Sequence, residues 1–371
     1  MTDGQARLKR FSARNFRNFE KLDLELPESG LAIVGENGQG KTNLLEGIYY
    51  LQVLRSVRGA RDQDLVRFGT TGFHIAGEAE SGGVRDVGIG FELSGRKKKV
   101  VVDGSVAARL SDVFGSIPSV MFSPRDIQLV AGGPSERRRY LDLVLALSSR
   151  GYLAALQTYR AALARRNAAL REAARTGNDS AVAVWEPALA EHGAVLVRKR
   201  ASWVAGVAPE FTRLSAAIGE EGESRITYHS AIAREADTGA ALEAAFARQR
   251  GHDMRRGVTH SGPHRDDLSL TLNGKDLRVF GSAGQQRTAA IALRMIEGAT
   301  LRESGNRAPL LLLDDPFAEL DQRRSERILG LLQDAGLGQT VLVVPRASDI
   351  PGELLALERR RIHGGVLEGA A

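Results

Sequence analysis

Uninterrupted apolar runs near both ends of the chain predict the central strands of a parallel sheet. Residues 31–34, 310–313 and 340–344 are of this kind, and such runs are typical of strands buried on both faces. Residues 42–51 follow the first run and carry one apolar helical face, and a further helix is predicted over residues 284–301. The two ends of the chain are therefore expected to build one α/β domain.

Shorter strand-like runs between turn residues predict an antiparallel sheet added to the parallel one. They cover residues 8–13, 22–26, 73–80, 84–93 and 98–102 near the start, and residues 268–272 and 277–280 further on. Tight hairpin turns are indicated by Val102-Asp103-Gly104-Ser105 and by Asn273-Gly274, because Asp-Gly and Asn-Gly adopt the backbone angles that such turns require.

The middle of the chain changes character at about residue 141, where Ala, Leu, Arg and Glu begin to dominate. This composition continues to about residue 219, and a polar break at residues 176–180 divides it into two predicted helices of about 25 to 30 residues. At 1.5 Å per residue each helix reaches roughly 40 Å, far less than a long coiled-coil arm. The expected lobes are a head formed by residues 1–125 and 258–371, and an inserted, mainly helical lobe at residues 126–257.

The composition of the chain limits the classes of protein to which it can belong. Of the 371 residues, 43% are hydrophobic and 26% charged, as in soluble globular proteins, and no run approaches the roughly 18 apolar residues of a membrane span. The absence of cysteine and a polar N-terminus predict a cytoplasmic location. A formal net charge of +6 and a pI near 9.7 favour a polyanionic partner. The basic residues cluster at residues 96–99, 137–139, 198–200, 255–256 and 359–361.

A phosphate-binding sequence of the pattern G-x-x-x-x-G-K-[ST] follows the first apolar run. Glycines let such a loop turn its backbone N–H groups toward an anion, and the next helix presents its N-terminus to the same anion. Lys41 adds a charge for the terminal phosphates and Thr42 a hydroxyl for Mg²⁺. The predicted ATP-binding residues of this loop are Gly35, Glu36, Asn37, Gly38, Gln39, Gly40, Lys41, Thr42 and Asn43.

A pair of carboxylates at the end of the second apolar run is another nucleotide signal. Asp314 and Asp315 directly follow residues 310–313, and a carboxylate at a strand end beside a phosphate loop can hold Mg²⁺. The metal is therefore assigned to Thr42 and Asp314. Asp315 is expected to orient or deprotonate the attacking water, so Asp315 and Lys41 are the predicted catalytic residues.

A small turn, Ser282-Ala283-Gly284-Gln285-Gln286, precedes the helix at residues 284–301. It offers a hydroxyl and N–H groups to an anion, although by itself it is only a good helix cap. The motifs therefore follow in the order phosphate loop, insertion, Ser-x-Gly-Gln turn, and apolar strand with acids. In this order the sequence resembles the heads of ABC-type ATPases, and most closely the RecF family of bacterial recombination mediators.

The resemblance extends over most of the chain. Other stretches that carry it are residues 15–18, 35–50, 122–126, 134–142, 261–267 and 314–321. The insertion has the length expected of RecF, whereas the related chromosome-maintenance ATPases carry hundreds of residues of coiled coil at this point. The expected fold is thus an α/β, ABC-type P-loop ATPase head with a mixed sheet, an antiparallel β subdomain and an inserted, mainly helical lobe.

The resemblance implies that a second copy of the chain completes each ATP site. The residues that it assigns to the partner's side of the nucleotide are Ser282, Gly284, Gln285 and Asp321, and Arg17 and Gln128 are further positions assigned to the site. It also implies an ATP-dependent homodimer on DNA at gaps and single-strand/double-strand junctions, close to the nucleoid. RecR and RecO are the implied partners, and loading of RecA is the implied result.

Two positions depart from the pattern of ABC-type heads. The switch position after the last strand has Val344-Pro345-Arg346-Ala347-Ser348 and no His, and Asp315 stands where many relatives have Glu. The shorter carboxylate reaches less far, so we expect a weak, DNA-stimulated ATPase that acts as a timer rather than a motor.

Two other functions and one metal site are less consistent with the sequence. The soluble ATPase subunit of an ABC transporter would have its signature turn far closer to the phosphate loop than the about 240 residues between Thr42 and Ser282. A small-molecule kinase leaves the Ser282 turn unexplained. A metal cluster of His260, His264, Asp266 and Asp267 has suitable residue types, but the strand that follows makes these residues a loop at a domain junction.

Overall fold

The strands of the chain form three sheets. The computed structural model describes residues 6–81, 83–305, 307–317, 320–336 and 338–369. Within this part of the chain the strands are β1 (Arg7–Phe16), β2 (Phe19–Glu25), β3 (Gly30–Val34), β4 (Gly72–Ser81), β5 (Val84–Glu92), β6 (Lys97–Val102), β7 (Ser105–Val106), β8 (Ser119–Phe122), β9 (Ser224–His229), β10 (Asp267–Leu272), β11 (Lys275–Asp276), β12 (Leu310–Asp314), β13 (Thr340–Val344), β14 (Glu358–His363) and β15 (Val366–Glu368).

The helices are concentrated in the middle of the chain. They are α1 (Lys41–Val53), α2 (Leu110–Val113), α3 (Gln128–Ala131), α4 (Pro134–Ser148), α5 (Arg150–Thr176), α6 (Ser180–Ala183), α7 (Glu186–Ile218), α8 (Thr238–Arg256), α9 (Leu277–Phe280), α10 (Ala283–Gly305) and α11 (Gln322–Asp334). Short 3₁₀ turns lie at Asp62–Leu65, Ser94–Arg96, Pro124–Ile127, Ala347–Asp349 and Gly352–Leu354.

The described chain divides into two compact units. The first contains Met1–Asp126 and Leu293–Ala371, and the second contains Ile127–Ala292. Residues 258–292 belong to the second unit by their contacts because β10 pairs along its whole length with β9. The division into a head and an inserted lobe, drawn at residues 125 and 258 from the sequence, stays a prediction.

The parallel sheet of the first unit sets the position of the nucleotide motifs. Its strand order is β15-β14-β3-β13-β12-β8, and the pairs from β14 to β8 are all parallel. The central strands are buried over their full length, as their apolar sequences predict. Because β3 and β12 are separated only by β13, the phosphate loop after β3 and Asp314 at the end of β12 lie at the same edge of the sheet.

The antiparallel sheet of the first unit has the order β2-β1-β4-β5-β6-β7. Its β6–β7 turn contains Asp103 with a φ of 47° and Gly104 with a φ of 79°, the two positive angles of the tight hairpin turn that the sequence indicates. Its inner face packs aromatic rings, among them Phe16, Phe73 and Tyr50 of α1, in edge-to-face pairs with centroids 5.3–6.5 Å apart. This packing anchors α1 and therefore the end of the phosphate loop.

The second unit is a helical bundle with a small sheet. The long helices α5 and α7 pack together, and the buried Arg166 of α5 bonds Glu186 and Asp253. The buried Arg200 of α7 donates to Asp142 at 2.6 Å. Buried arginines of this kind require such partners, because an unpaired buried charge is strongly destabilising.

The prediction of a strand at residues 277–280 is wrong, because this segment is the short helix α9. Asp276 accepts a hydrogen bond from the Arg278 N–H at 2.7 Å and caps a helical turn, so the strand after the Asn273-Gly274 turn is only Lys275–Asp276. Strand β9 and helix α8 were not predicted. None of the described helices combines the length and apolar character that a membrane crossing requires.

Candidate nucleotide site

The phosphate loop joins β3 to α1 through two residues in the left-handed region. Gly38 has a φ of 83° and Gly40 a φ of 112°, angles that strongly favour glycine. A Cβ at Gly40 would lie 2.5 Å from Asn18 Nδ2, and a Cβ at Gly35 would lie 2.5 Å from the Ile362 carbonyl oxygen. Backbone angles at Gly38 and Gly40, and close neighbours at Gly35 and Gly40, therefore explain why the loop needs its glycines.

Asn18 braces the loop from the hairpin between β1 and β2. Its Nδ2 donates to the Gln39 carbonyl oxygen at 3.1 Å, and its Oδ1 accepts from Asn43 Nδ2 at 2.8 Å. On the other side, the Gly364 N–H donates to the Gln39 side chain at 2.6 Å. The side chains of Asn43 and Gln39 are thus held by hydrogen bonds to other segments of the chain.

Lys41 lies at the start of α1 with its ammonium group on the loop itself. Nζ donates to the carbonyl oxygens of Gly35 at 2.5 Å and Glu36 at 2.9 Å. Burial lowers the pKa of Lys41, while the charges of Asp314 and Asp315 oppose that shift. The ammonium group thus sits within the phosphate loop in the electrostatic field of the two carboxylates.

Thr42 and Asp314 are in direct contact although 272 residues separate them. Thr42 Oγ1 donates to Asp314 Oδ1 at 3.0 Å. Burial raises the pKa of Asp314, and the hydrogen bond from Thr42 and the nearby positive charges of Arg58 and Lys41 lower it in part. A hydroxyl and a carboxylate oxygen at this separation are hard ligands of the kind that Mg²⁺ takes.

Asp315 follows with a φ of 45°, a strained conformation for a residue with a side chain. Its N–H donates to the Val343 carbonyl oxygen at 3.0 Å, which fixes the turn between β12 and the next segment. Asp315 and Pro345 line the same cavity as Lys41, Thr42 and Asp314. The strained turn thus brings a second carboxylate to the cavity, and the catalytic role of Asp315 stays a prediction.

Arg58 also lines this cavity and was not predicted. One of its terminal nitrogens donates to Asn43 Oδ1 at 2.6 Å and lies 3.2 Å from Glu46 Oε2. Its Nε is buried without a hydrogen-bond partner in the described part of the chain. Burial lowers the pKa of Arg58, and the negative charge of Glu46 opposes that shift.

Glu46 is fully buried on α1 and is shared by three side chains. Arg17 donates to it from Nε at 2.9 Å and from a terminal nitrogen at 3.1 Å, and Ser56 donates at 2.5 Å. These two bonds hold the Arg17 side chain on Glu46, and the Arg17 backbone has a φ of 55°. Its predicted place at the nucleotide stays a prediction.

The cavity that these groups line has a volume of about 460 Å³. It presents backbone N–H groups at a helix N-terminus, two cationic side chains and a hydroxyl–carboxylate pair. The donor set fits the phosphates of a nucleotide together with Mg²⁺. A Cβ at Gly38 would meet no atom within 4 Å, so the backbone there is open to the close approach that phosphate binding requires.

The signature turn is exposed at the start of α10. The Ser282 N–H donates to Gln285 Oε1 at 2.9 Å, and the Gln285 N–H donates to Ser282 Oγ at 3.2 Å, which is a reciprocal capping box. Gly284 is half-buried beside them. The turn is thus a well-formed helix cap, and its role across a dimer stays a prediction.

Two further predicted positions are exposed. Asp321 is exposed and caps α11 by accepting from the Arg324 N–H at 2.9 Å. Gln128 is exposed at the start of α3 in the second unit. Glu319, part of the 314–321 stretch, lies outside the described residues. The nucleotide roles of Asp321 and Gln128 stay predictions.

Each residue of the possible metal cluster has a protein partner, and Asp266 accepts a hydrogen bond from the Tyr228 hydroxyl. His264 bonds the Tyr159 hydroxyl at 2.7 Å, and Asp267 pairs with Arg137 at 2.8 Å. His260 bonds Asp253, whose other carboxylate oxygen accepts from Arg166. These ligand atoms already serve the packing of the second unit.

Comparison with known proteins places the chain in a family. It matches the model of the RecF/RecN/SMC N-terminal domain over residues 7–349. It is 40% identical over 333 residues to the DNA replication and repair protein RecF of Anaeromyxobacter dehalogenans, covering 86% of this chain and 87% of that protein. The chain belongs to the RecF family. The RecF of Chloroflexus aggregans is 37% identical over 388 residues, covering 95% of this chain and 97% of the relative.

Solved RecF structures share the fold of the whole chain. The recombination mediator protein RecF with ATP, of the RecFOR pathway, superimposes with a TM-score of 0.91 at 30% identity over 99% of this chain and 98% of that one. The Smc head domain of Pyrococcus furiosus has a TM-score of 0.56 at 15% identity, covering 98% and 96%. The chain therefore has the ABC-type ATPase head fold of RecF and Smc, with the insertion in its RecF form, and the matches favour the repair interpretation over a transporter subunit.

Two residues of the site were missed in the sequence, Arg58 and the bracing Asn18. A signal for Arg58 was present: Glu46 interrupts the apolar side of α1, and a buried carboxylate requires cations from elsewhere in the chain. Asn18 lies in the 15–18 stretch of the family resemblance, but only the fold shows that it reaches the loop.

Proposed function

We propose that this RecF-family chain is an ATP-switched DNA-binding protein of recombinational repair. The observation that carries the proposal is the Thr42–Asp314 contact in a cavity that also holds Lys41 and Asp315. This arrangement would bind ATP with Mg²⁺, and the fold around it is that of a RecF with ATP. The chain would act in the cytoplasm, near the nucleoid.

Binding would use groups that the loop already positions. The N–H groups of residues 38–42 and the Lys41 ammonium would hold the phosphates, and Thr42 and Asp314 would hold Mg²⁺. Lys41 would exchange its bonds to the Gly35 and Glu36 carbonyl oxygens for bonds to phosphate oxygens. The terminal phosphate of bound ATP would remain an anion that donors of a second protein molecule can contact.

The switch would be dimerisation. Ser282 is exposed at the N-terminus of a long helix, and Gly284 and Gln285 lie on its first turn, so the turn can face an anion held by another molecule. Together with the exposed Asp321, it would complete the nucleotide site of a second copy. Dimers would then form with ATP and separate once the terminal phosphate is lost.

Hydrolysis would be slow. Asp315 would orient or deprotonate the attacking water from its fixed turn, and the position after β13 offers Pro345 and Arg346 rather than His. A weak, DNA-stimulated ATPase would serve to release the dimer. The proposed target is DNA at gaps and single-strand/double-strand junctions, with RecR and RecO as partners that help load RecA.

The test measures molecular mass by sedimentation, and binding of labelled DNA, with ATP and with ADP. Wild-type protein should dimerise with ATP alone and should bind DNA with an affinity that falls steeply with salt. Lys41→Met and Ser282→Arg should both remain monomeric. Monomeric wild-type protein at saturating ATP, or DNA binding that ignores Ser282→Arg, would refute the proposal.

A further inference from the structure

One row of side chains crosses the outer face of the antiparallel sheet of the first unit. The strand register places Lys21 of β2 opposite Arg14 of β1, Arg14 opposite His74 of β4, His74 opposite Gly90 of β5, and Gly90 opposite Lys99 of β6. Lys21, Arg14, His74 and Lys99 are all exposed. We name these four residues the basic row. At a strand spacing of about 4.8 Å, the row spans roughly 19 Å.

The cations of the basic row differ from the other cations of the same face. Among the described residues, Lys21, Arg14 and Lys99 form no ion pair, whereas Arg10 donates to Asp23 from Nε at 2.7 Å. Lys9 pairs with Glu80 at 2.6 Å. The cations of the basic row therefore have no bonded carboxylate partner, whereas those a few residues along β1 do. Arg10 lowers the pKa of Asp23 most, and the nearby charges of Arg14 and Lys21 add to that effect.

A second row of mainly small residues, which we name the trough, runs beside the basic row. It consists of Asp23 at the β2 end, where Arg10 pairs with it, and then of Ser12, Ala76, Gly88 and Val101. The His74 ring lies against the bare glycines, because a Cβ at Gly88 would be 3.6 Å from His74 Nε2. The side chains beside the central part of the basic row are thus small and leave its cations accessible.

We propose that the basic row is a contact surface for the phosphate backbone of DNA, with Lys21, Arg14 and Lys99 each neutralising a phosphate. The inference rests on the proposed function, since it locates on this chain a surface for the DNA proposed there. Duplex DNA carries about one negative charge per 1.7 Å of axis, so a 19 Å row faces an almost continuous line of charge.

The chemistry of the row favours a polyanion over a protein partner. Stable protein interfaces have an apolar or aromatic centre, whereas the trough offers Ser12, Ala76 and Gly88, with only the half-buried Val101 as a larger apolar residue. Phosphate contacts need no apolar centre, because the release of counterions drives the binding. The unpaired cations supply this term without first losing a carboxylate partner.

The test compares substitutions of equal charge change on one strand. Arg14→Gln and Arg10→Gln each remove one positive charge from the outer face of β1, but only Arg14 belongs to the row. A triple variant, Lys21→Gln with Arg14→Gln and Lys99→Gln, removes every permanent cation of the row. Affinity for a labelled DNA duplex is measured with ATP over a series of salt concentrations, and retained ATP binding verifies that each variant is folded.

In the triple variant, the slope of log affinity against log salt should become shallower by about 2 to 3, and in Arg14→Gln by about 1. Arg10→Gln should change the slope less than Arg14→Gln, because Asp23 already occupies the Arg10 guanidinium. An unchanged slope in the triple variant, or equal effects of Arg14→Gln and Arg10→Gln, overturns the inference. Failure of the wild-type protein to bind DNA with ATP instead overturns the proposed function, and the row with it.

Discussion

Arg58 is expected to be a direct contributor to nucleotide binding, and Arg58→Ala tests this. The guanidinium lines the cavity with Lys41, Thr42 and Asp314, and its buried Nε has no partner in the described part of the chain. A charged donor of this kind, next to a site for phosphates, can form a charge-assisted hydrogen bond once nucleotide binds. The Arg58→Ala protein should therefore bind ATP more weakly than the wild type.

The expected magnitude follows from the partners of Arg58. A hydrogen bond to a charged group contributes about 1.5–3 kcal/mol, which corresponds to a loss of about 10- to 150-fold in ATP affinity. The folding cost should be smaller, about 1–2 kcal/mol, because Glu46 keeps Arg17 at 2.9 Å and Ser56 at 2.5 Å and is not left unpaired. The variant should consequently fold and still bind ATP weakly.

The assay is a calorimetric titration of ATP into the wild-type protein and Arg58→Ala, with denaturant unfolding of both proteins to measure the folding cost. An Arg58→Ala variant that is folded and binds ATP within about threefold of the wild-type affinity would refute the reasoning, because threefold corresponds to less than about 0.7 kcal/mol.

In denaturant titrations, Gly40→Ala should lower the free energy of unfolding by about 1–3 kcal/mol more than Gly38→Ala. Both glycines have a positive φ, but only at Gly40 would the added methyl group meet another atom, Asn18 Nδ2 at 2.5 Å. Equal losses would contradict this. Asp314→Asn should abolish the strengthening of ATP binding by Mg²⁺, measured with and without a chelator; persistent strengthening would place the metal elsewhere. Burial raises the pKa of Asp314 above its ordinary 3.8, so wild-type affinity for Mg–ATP should fall as the pH drops toward that raised pKa and the carboxylate is protonated, whereas in Asp314→Asn this part of the pH dependence should be absent.

The parallel sheet could be predicted from the sequence because its signals are local. Three uninterrupted apolar runs correspond to β3, β12 and β13, and parallel order alone brings the ends of β3 and β12 to one edge. The Thr42–Asp314 contact follows from that order, although 272 residues separate the two. The short turns were equally predictable, since Asp103-Gly104 and Asn273-Gly274 both adopt positive φ angles.

The rest depends on contacts between distant segments. Residues 277–280 alternate like a strand, but the Asp276 cap makes them a helix, and β9 is a strand because it pairs with β10. Arg58 follows no motif, and its position at the cavity depends on Glu46 in α1 and on Asn43. The basic row on the antiparallel sheet likewise cannot be recognised in the sequence, because it is defined by the register of five strands.

The central claim is that one copy supplies the phosphate loop and another supplies the signature turn. Mixing Lys41→Met with Ser282→Arg tests it most directly, because a mixed dimer has one site built from the intact loop of the second variant and the intact turn of the first. Sedimentation with ATP should show each variant monomeric alone and a dimer in the mixture, formed from one copy of each. A mixture that remains monomeric, while the wild-type protein dimerises with ATP, would contradict the claim.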